Sequence, residues 1–169
     1  MTFIKHDQTA ARSKRHGAAV ALTAGLFLGT VSAALAPLAW AQSAPQPRLP
    51  TTTISAGMHK IVAELAVTPQ QQSIGMMMRR EMGASEGMLF VNEDAGVRCF
   101  WMRDTLVPLS IAFVAEDGRI VNLADMQPQS DQTHCSAEPV PFALEMRQGW
   151  FAKRNIQPGF RLSGPPFKR

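Results

Sequence analysis

The sequence predicts a mainly β fold: one antiparallel sandwich or barrel-like domain with one or two short helices, α+β being the alternative. Three observations carry this. Short apolar or alternating runs outnumber helical ones beyond residue 58. Turn-forming pairs separate those runs at hairpin spacing, Asp117-Gly118 above all. The candidate domain, residues 58–163, is about the length that builds a single core.

The chain opens on a different kind of segment. Lys5 to Arg15 is basic, Gly17 to Ala36 is apolar and uncharged, Pro37 breaks any helix, and Ala39-Trp40-Ala41 has the small-x-small cleavage pattern. Residues 1–41 therefore read as a signal peptide, and the expected location is periplasmic or secreted. The alternative is an anchor in the inner membrane through residues 17–36. Residues 42–57, with three prolines and many small polar side chains, read as a linker. Residues 164–169, opening on Gly164-Pro165-Pro166, read as a tail.

Within the domain, His59 to Val67 predicts a strand with Ile61, Ala63, Leu65 and Val67 on one face. Thr68, Pro69 and Gln71 supply an N-cap, a first-turn proline and a capping box for a helix running to about Met78. Gly87 to Val91 is a short apolar strand, and Val97 to Met102 alternates. Leu109 to Ala115 and Arg119 to Leu123 flank the Asp117-Gly118 turn. Ala124 to Pro141 reads as a long polar loop and Phe142 to Met146 as another strand. A short helix at Gly149 to Asn155 and a closing strand at Phe160 to Leu162 complete the pattern.

Charge argues against nucleic acid. The net charge of +4 is concentrated in the leader, and the rest of the chain carries 13 basic and 12 acidic residues. Within residues 58–163 only Arg79-Arg80 and Lys153-Arg154 are paired basic residues, too few for a phosphate-binding stripe. The two cysteines, Cys99 and Cys135, read as a structural disulfide in an exported chain.

Candidate chemistry is sparse. Met76-Met77-Met78, with Met82, Met88, Met58 and His59, raises thioether copper binding, but consecutive helical residues point in different directions. Packing of Met77 and Met78 into the core is the simpler expectation. His134, Cys135 and Asp131 fall short of a zinc set, so no metal and no cofactor is expected. No nucleophile elbow or phosphate loop is present. The absence of Tyr weakens a carbohydrate-stacking surface.

Glu86-Gly87-Met88-Leu89-Phe90, Phe100-Trp101-Met102-Arg103-Asp104-Thr105-Leu106-Val107-Pro108-Leu109, Asp117-Gly118-Arg119-Ile120-Val121 and Ile156-Gln157-Pro158-Gly159 occur in this order. In these motifs the segment from His59 to Leu162 resembles the domain-of-unknown-function family 192. The resemblance implies a mainly β fold, often secreted or lipid-anchored, and no established reaction. Ser110 and Phe160 stand where that family usually has Asp. The expected function is non-catalytic binding of a cell-envelope component or partner protein, at a pocket formed by Glu86, Trp101, Arg103, Asp104 and Thr105. Two alternatives are a hydrolase acting on envelope polysaccharide through Glu86 and Asp104, and methionine-based copper handling.

Overall fold

The computed structural model describes residues 44–167. The expected signal peptide and membrane anchor lie outside the described residues. Among the described residues no helix is long and apolar enough to cross a membrane.

Six strands form one sheet in the order β1-β2-β3-β8-β5-β6, and β4 and β7 form a small ribbon. Strand β1 is Thr51–Ala56 and β2 is His59–Ala66, paired antiparallel. Thr68 then caps helix α1, Pro69–Ile74, with both bonds of the capping box present. The helix carries the chain across the sheet, so β3, Glu86–Gly96, pairs parallel to β2. This one parallel pair departs from the all-antiparallel expectation. The ribbon strand β4 is Cys99–Phe100. Strands β5, Leu109–Val114, and β6, Ile120–Met126, form the expected hairpin, with Gly118 at φ 80° in its turn. Strand β7 is His134–Cys135, and β8, Val140–Arg147, inserts between β3 and β5.

Both faces of the sheet are covered, and the central strands read accordingly. Every residue of β5 and all but Arg147 of β8 are buried. One face buries Ile54, Ile61, Leu89, Ala112 and Leu144 against Trp150, Phe151, Ile156 and Leu162 from the C-terminal segment. The opposite face buries Met88, Phe90, Ile111, Phe113 and Ala143 against Met76, Met82 and Met102. The C-terminal segment also links the sheet edges. Ser163 exchanges two backbone hydrogen bonds with Ser55, at 2.8 and 2.9 Å, while the amide of Leu162 donates to Gly118. The result is sandwich-like and barrel-like without being a closed barrel.

Several boundaries are corrected. Residues 51–56, expected in the linker, form β1, because Ile54 and Ala56 alternate inward within a β-branched run. Gln46 also packs onto the domain, its amide donating to the carbonyls of Gln71 and Gly75. The expected tail contributes Phe167, whose ring meets Phe142 edge-on at 5.4 Å. Helix α1 stops at Ile74 rather than Met78, since Gly75 takes φ 51° and its amide returns to Gln71. Met76, not Met77 or Met78, is consequently the core residue of that run. Val67 is exposed, one residue beyond the end of β2. Phe160 to Leu162 makes only an isolated bridge, at Arg161 with Arg119. The segment 149–155 holds a single 3-10 turn, Ala152–Arg154.

Cys99 and Cys135 face each other across β4 and β7 and are disulfide-bonded. Such a bond belongs to an oxidising compartment rather than the reducing cytosol.

A candidate binding cavity above a buried glutamate

Strand β8 runs Val-Pro-Phe-Ala-Leu-Glu-Met-Arg, an apolar run interrupted by one acid. Alternation places Glu145 on the face shared with Ala143. Its neighbours in register are Met88 on β3 and Ile111 on β5, both apolar and fully buried. Glu145 itself is 4 % exposed, and its Oε2 atom has no hydrogen-bond partner. Burial pushes its carboxyl up to about 8, so the acid is mostly protonated at neutral pH. A buried polar group without a partner costs about 1–3 kcal/mol, which makes its retention in a core strand informative.

Above Glu145 lies a cavity of about 510 Å³, open to the surface. Helix α1 and the turn after it form one wall through Gln72, Ile74 and Met76. The side-chain amide of Gln72 donates to the carbonyls of Ala66 and Val91, which fixes α1 over the end of β2 and the middle of β3. Gly75 is required here, because a Cβ at that position would sit 3.2 Å from the ring of Phe90 at positive φ. The other wall is the β4 segment, with Cys99, Phe100 and Trp101. The Phe100 ring meets Phe90 edge-on at 4.8 Å. Arg98 lines the same side, but its guanidinium is engaged by the Asp94 side chain at 2.9 Å and the Val140 carbonyl at 3.4 Å. Thr105, 5 % exposed, completes the lining, and its carbonyl accepts from the Gln129 amide.

The five residues expected to share a pocket separate into three groups. Trp101 and Thr105 line the cavity. Arg103 lies outside the lining but stacks on Trp101, 4.1 Å from the ring centre, and is fixed by Asp131 at 2.8 Å. Asp104 is an exposed turn residue at φ 58°, whose carbonyl accepts from the Met78 amide at 2.8 Å. Glu86 belongs to a different groove, with Arg48, Thr51, Val62 and Glu64. There the Gly83 amide and Arg48 hold its carboxyl below the usual carboxylate range. Glu86 thus lines the groove beside Arg48, and Asp104 lines neither that groove nor the cavity above Glu145.

Sequence reasoning missed Glu145, Phe90 and Phe100. The available signal was the acid itself: a carboxylate inside an otherwise apolar run, residues 140–146, needs either an ion-pair partner or a function.

The expected disulfide is present. Met58 is exposed, Met77 and Met78 are partly buried, and Met76, Met82, Met88, Met102 and Met126 are buried on the cavity side of the sheet. Among the described residues no three His, Cys, Asp or Glu side chains cluster as a metal site. Ser110, at a position where Asp was anticipated, donates to Asp125 and accepts from the Gly149 amide at 2.8 Å. It therefore closes the β5–β6 pair onto the loop after β8.

Fold and cavity together define a mainly β domain with a sheet covered on both faces and one pocket above an unpaired acid. Residues 51–164 match the domain-of-unknown-function family 192, described as an uncharacterised ACR family, and the chain belongs to it. It is similar to the crystal structure of a protein from Sinorhizobium meliloti 1021, provisionally assigned as a transcription regulator. That match has 33% identity and a TM-score of 0.67 and covers 70% of this chain and 97% of that one. It is also similar to a protein of unknown function from Novosphingobium aromaticivorans DSM 12444. There the identity is 35% and the TM-score 0.63, over 68% of this chain and 84% of that one. No curated protein matches the sequence.

Proposed function

We propose that this protein is an exported, non-catalytic binding domain, and that the cavity above Glu145 holds a small cell-envelope component or a side chain of a partner protein. The observation that carries this reading is the buried Glu145 carboxyl, whose Oε2 has no hydrogen-bond partner, beneath an open cavity with aromatic walls. A ligand that hydrogen-bonds this group removes its desolvation penalty, which gives the site both affinity and orientation.

The absence of a catalytic pair among the described lining residues supports binding over hydrolysis. Glu145 is the one carboxyl in the lining, no histidine joins it, and Cys99 is tied up in the disulfide. Glycoside hydrolysis uses two acids across the scissile bond. The Cys99–Cys135 bond supports export, as does the leader-like start of the chain.

A crystallographic fragment screen tests the reading. Fragments ordered between Phe90, Phe100 and Glu145 are the expected result. Occupancy scattered over the surface, with this cavity empty at fragment concentrations that fill other grooves, contradicts it.

A further inference from the structure

Building on the reading of the cavity as a binding site, we propose that its ligand is a primary alkylammonium ion, with the ammonium group on Glu145 and the hydrocarbon between Phe90, Phe100 and Met76.

The polar groups of the site decide the class. Glu145 has a buried oxygen with no donor directed at it. Its register neighbours carry no charge, Met88 from β3 and Ile111 from β5, and α1 supplies uncharged Gln72 and Ile74 to the same cavity. Arg98 is the single cation in the lining, and Asp94 and the Val140 carbonyl already hold it. An anionic ligand therefore meets an acid and no free donor fork. A cation meets a carboxyl able to ionise, while its hydrocarbon meets the apolar walls formed by Phe90, Phe100 and Met76. A quaternary ammonium lacks the N–H that the Glu145 oxygen requires, whereas a primary ammonium offers three. The ion pair would form inside low-dielectric walls, where it is stronger than at the surface.

Ionisation of Glu145 accompanies such binding. Burial keeps Glu145 mostly protonated in the free protein, so a bound ammonium displaces that proton to solvent. Amine affinity must then rise with pH by about tenfold per unit below the Glu145 midpoint. A neutral hydrogen-bonding ligand shows no such rise.

Calorimetric titration of the purified protein with n-butylammonium chloride, n-butanol and tetramethylammonium chloride at pH 5, 6 and 7 tests this. Butylammonium is expected to bind at least about tenfold more tightly than either control, with affinity climbing as pH rises. Glu145→Gln should lose at least about tenfold in butylammonium affinity while keeping the wild-type circular dichroism. Trp101→Ala, at an exposed rim position, should weaken binding by a few-fold. Equal binding of butanol, a flat pH profile, unchanged affinity in Glu145→Gln, or no butylammonium binding overturns the ammonium assignment. The fragment screen judges the cavity separately: fragments in the cavity together with any of these outcomes reject the ligand class alone.

Discussion

Two glutamates are buried to the same 4 % exposure in this sheet, and their surroundings give them opposite chemistry. Glu64 on β2 is paired twice with Arg79, at 2.5 and 2.8 Å, accepts from the Leu49 amide at 2.8 Å, and meets Arg48 at 2.7 Å. Burial opposes its ionisation, but Arg79, the Leu49 amide and Arg48 outweigh that and hold its carboxyl below the ordinary range. Glu145 on β8 has burial alone acting on it, and moves the other way. A satisfied buried charge locks loops onto the sheet, here tying β2 to the segments holding Arg48 and Arg79. Glu145, with an unpaired buried oxygen, stays neutral instead.

The two also tilt stability in opposite directions with pH. Glu64, whose pKa is lowered on folding, contributes stability above the ordinary carboxyl range, and this is lost as pH falls through its folded value. Glu145, whose pKa is raised, leaves the fold at full stability below the ordinary carboxyl range of about 4.5, and that stability declines as pH rises toward about 8.

The largest expected effect comes from opening the cavity wall. Cys99→Ser with Cys135→Ser removes a cross-link spanning 36 residues and should lower unfolding free energy by about 3–4 kcal/mol in denaturant titrations. It should also admit water to Glu145 and lower its pKa, leaving Glu64 unaffected. Next is Arg79→Met, which strips Glu64 of its buried partner. Because Arg48 and the Leu49 amide remain, the loss should fall near about 3 kcal/mol, the lower end for a broken buried pair. Equal stability of this variant and the wild type would dissolve the contrast between the two acids.

Glu145→Gln sharpens the contrast from the other side. Wild-type unfolding free energy should fall by at most about 1.4 kcal/mol per pH unit between pH 5 and 8, and the variant should stay flat over that interval. Both are read from urea titrations across the range. The smallest effect is Thr68→Ala, which removes the capping bond of α1 and should cost about 1 kcal/mol. It loosens one wall of the cavity without touching the Glu64 network.

The parts of this molecule governed by local rules were legible in advance. The capping box at Thr68, the Asp117-Gly118 hairpin and the cysteine pairing each depend on a few adjacent residues or on an even count. The boundaries failed where tertiary contacts prevailed. Thr51-Thr52-Thr53 follows a proline-rich stretch, yet Ile54 and Ala56 have a hydrophobic face to join. Gly75 ends α1 at positive φ with Phe90 packed where a side chain would stand, a contact that sequence spacing does not reveal. The site was half legible. Trp101 and Thr105 sit within the motif that was singled out, while Glu145 lies at least 40 residues further along, on a strand that only the sheet order brings alongside.

The most direct test of the unpaired acid is a ¹³C NMR titration of the Glu145 side-chain carboxyl in the purified protein, assigned by its loss in Glu145→Gln. A midpoint near 8 is the predicted result. A midpoint at or below the ordinary 4.5 would mean that the carboxyl is solvated or paired in solution, and the cavity would lose the group that defines it.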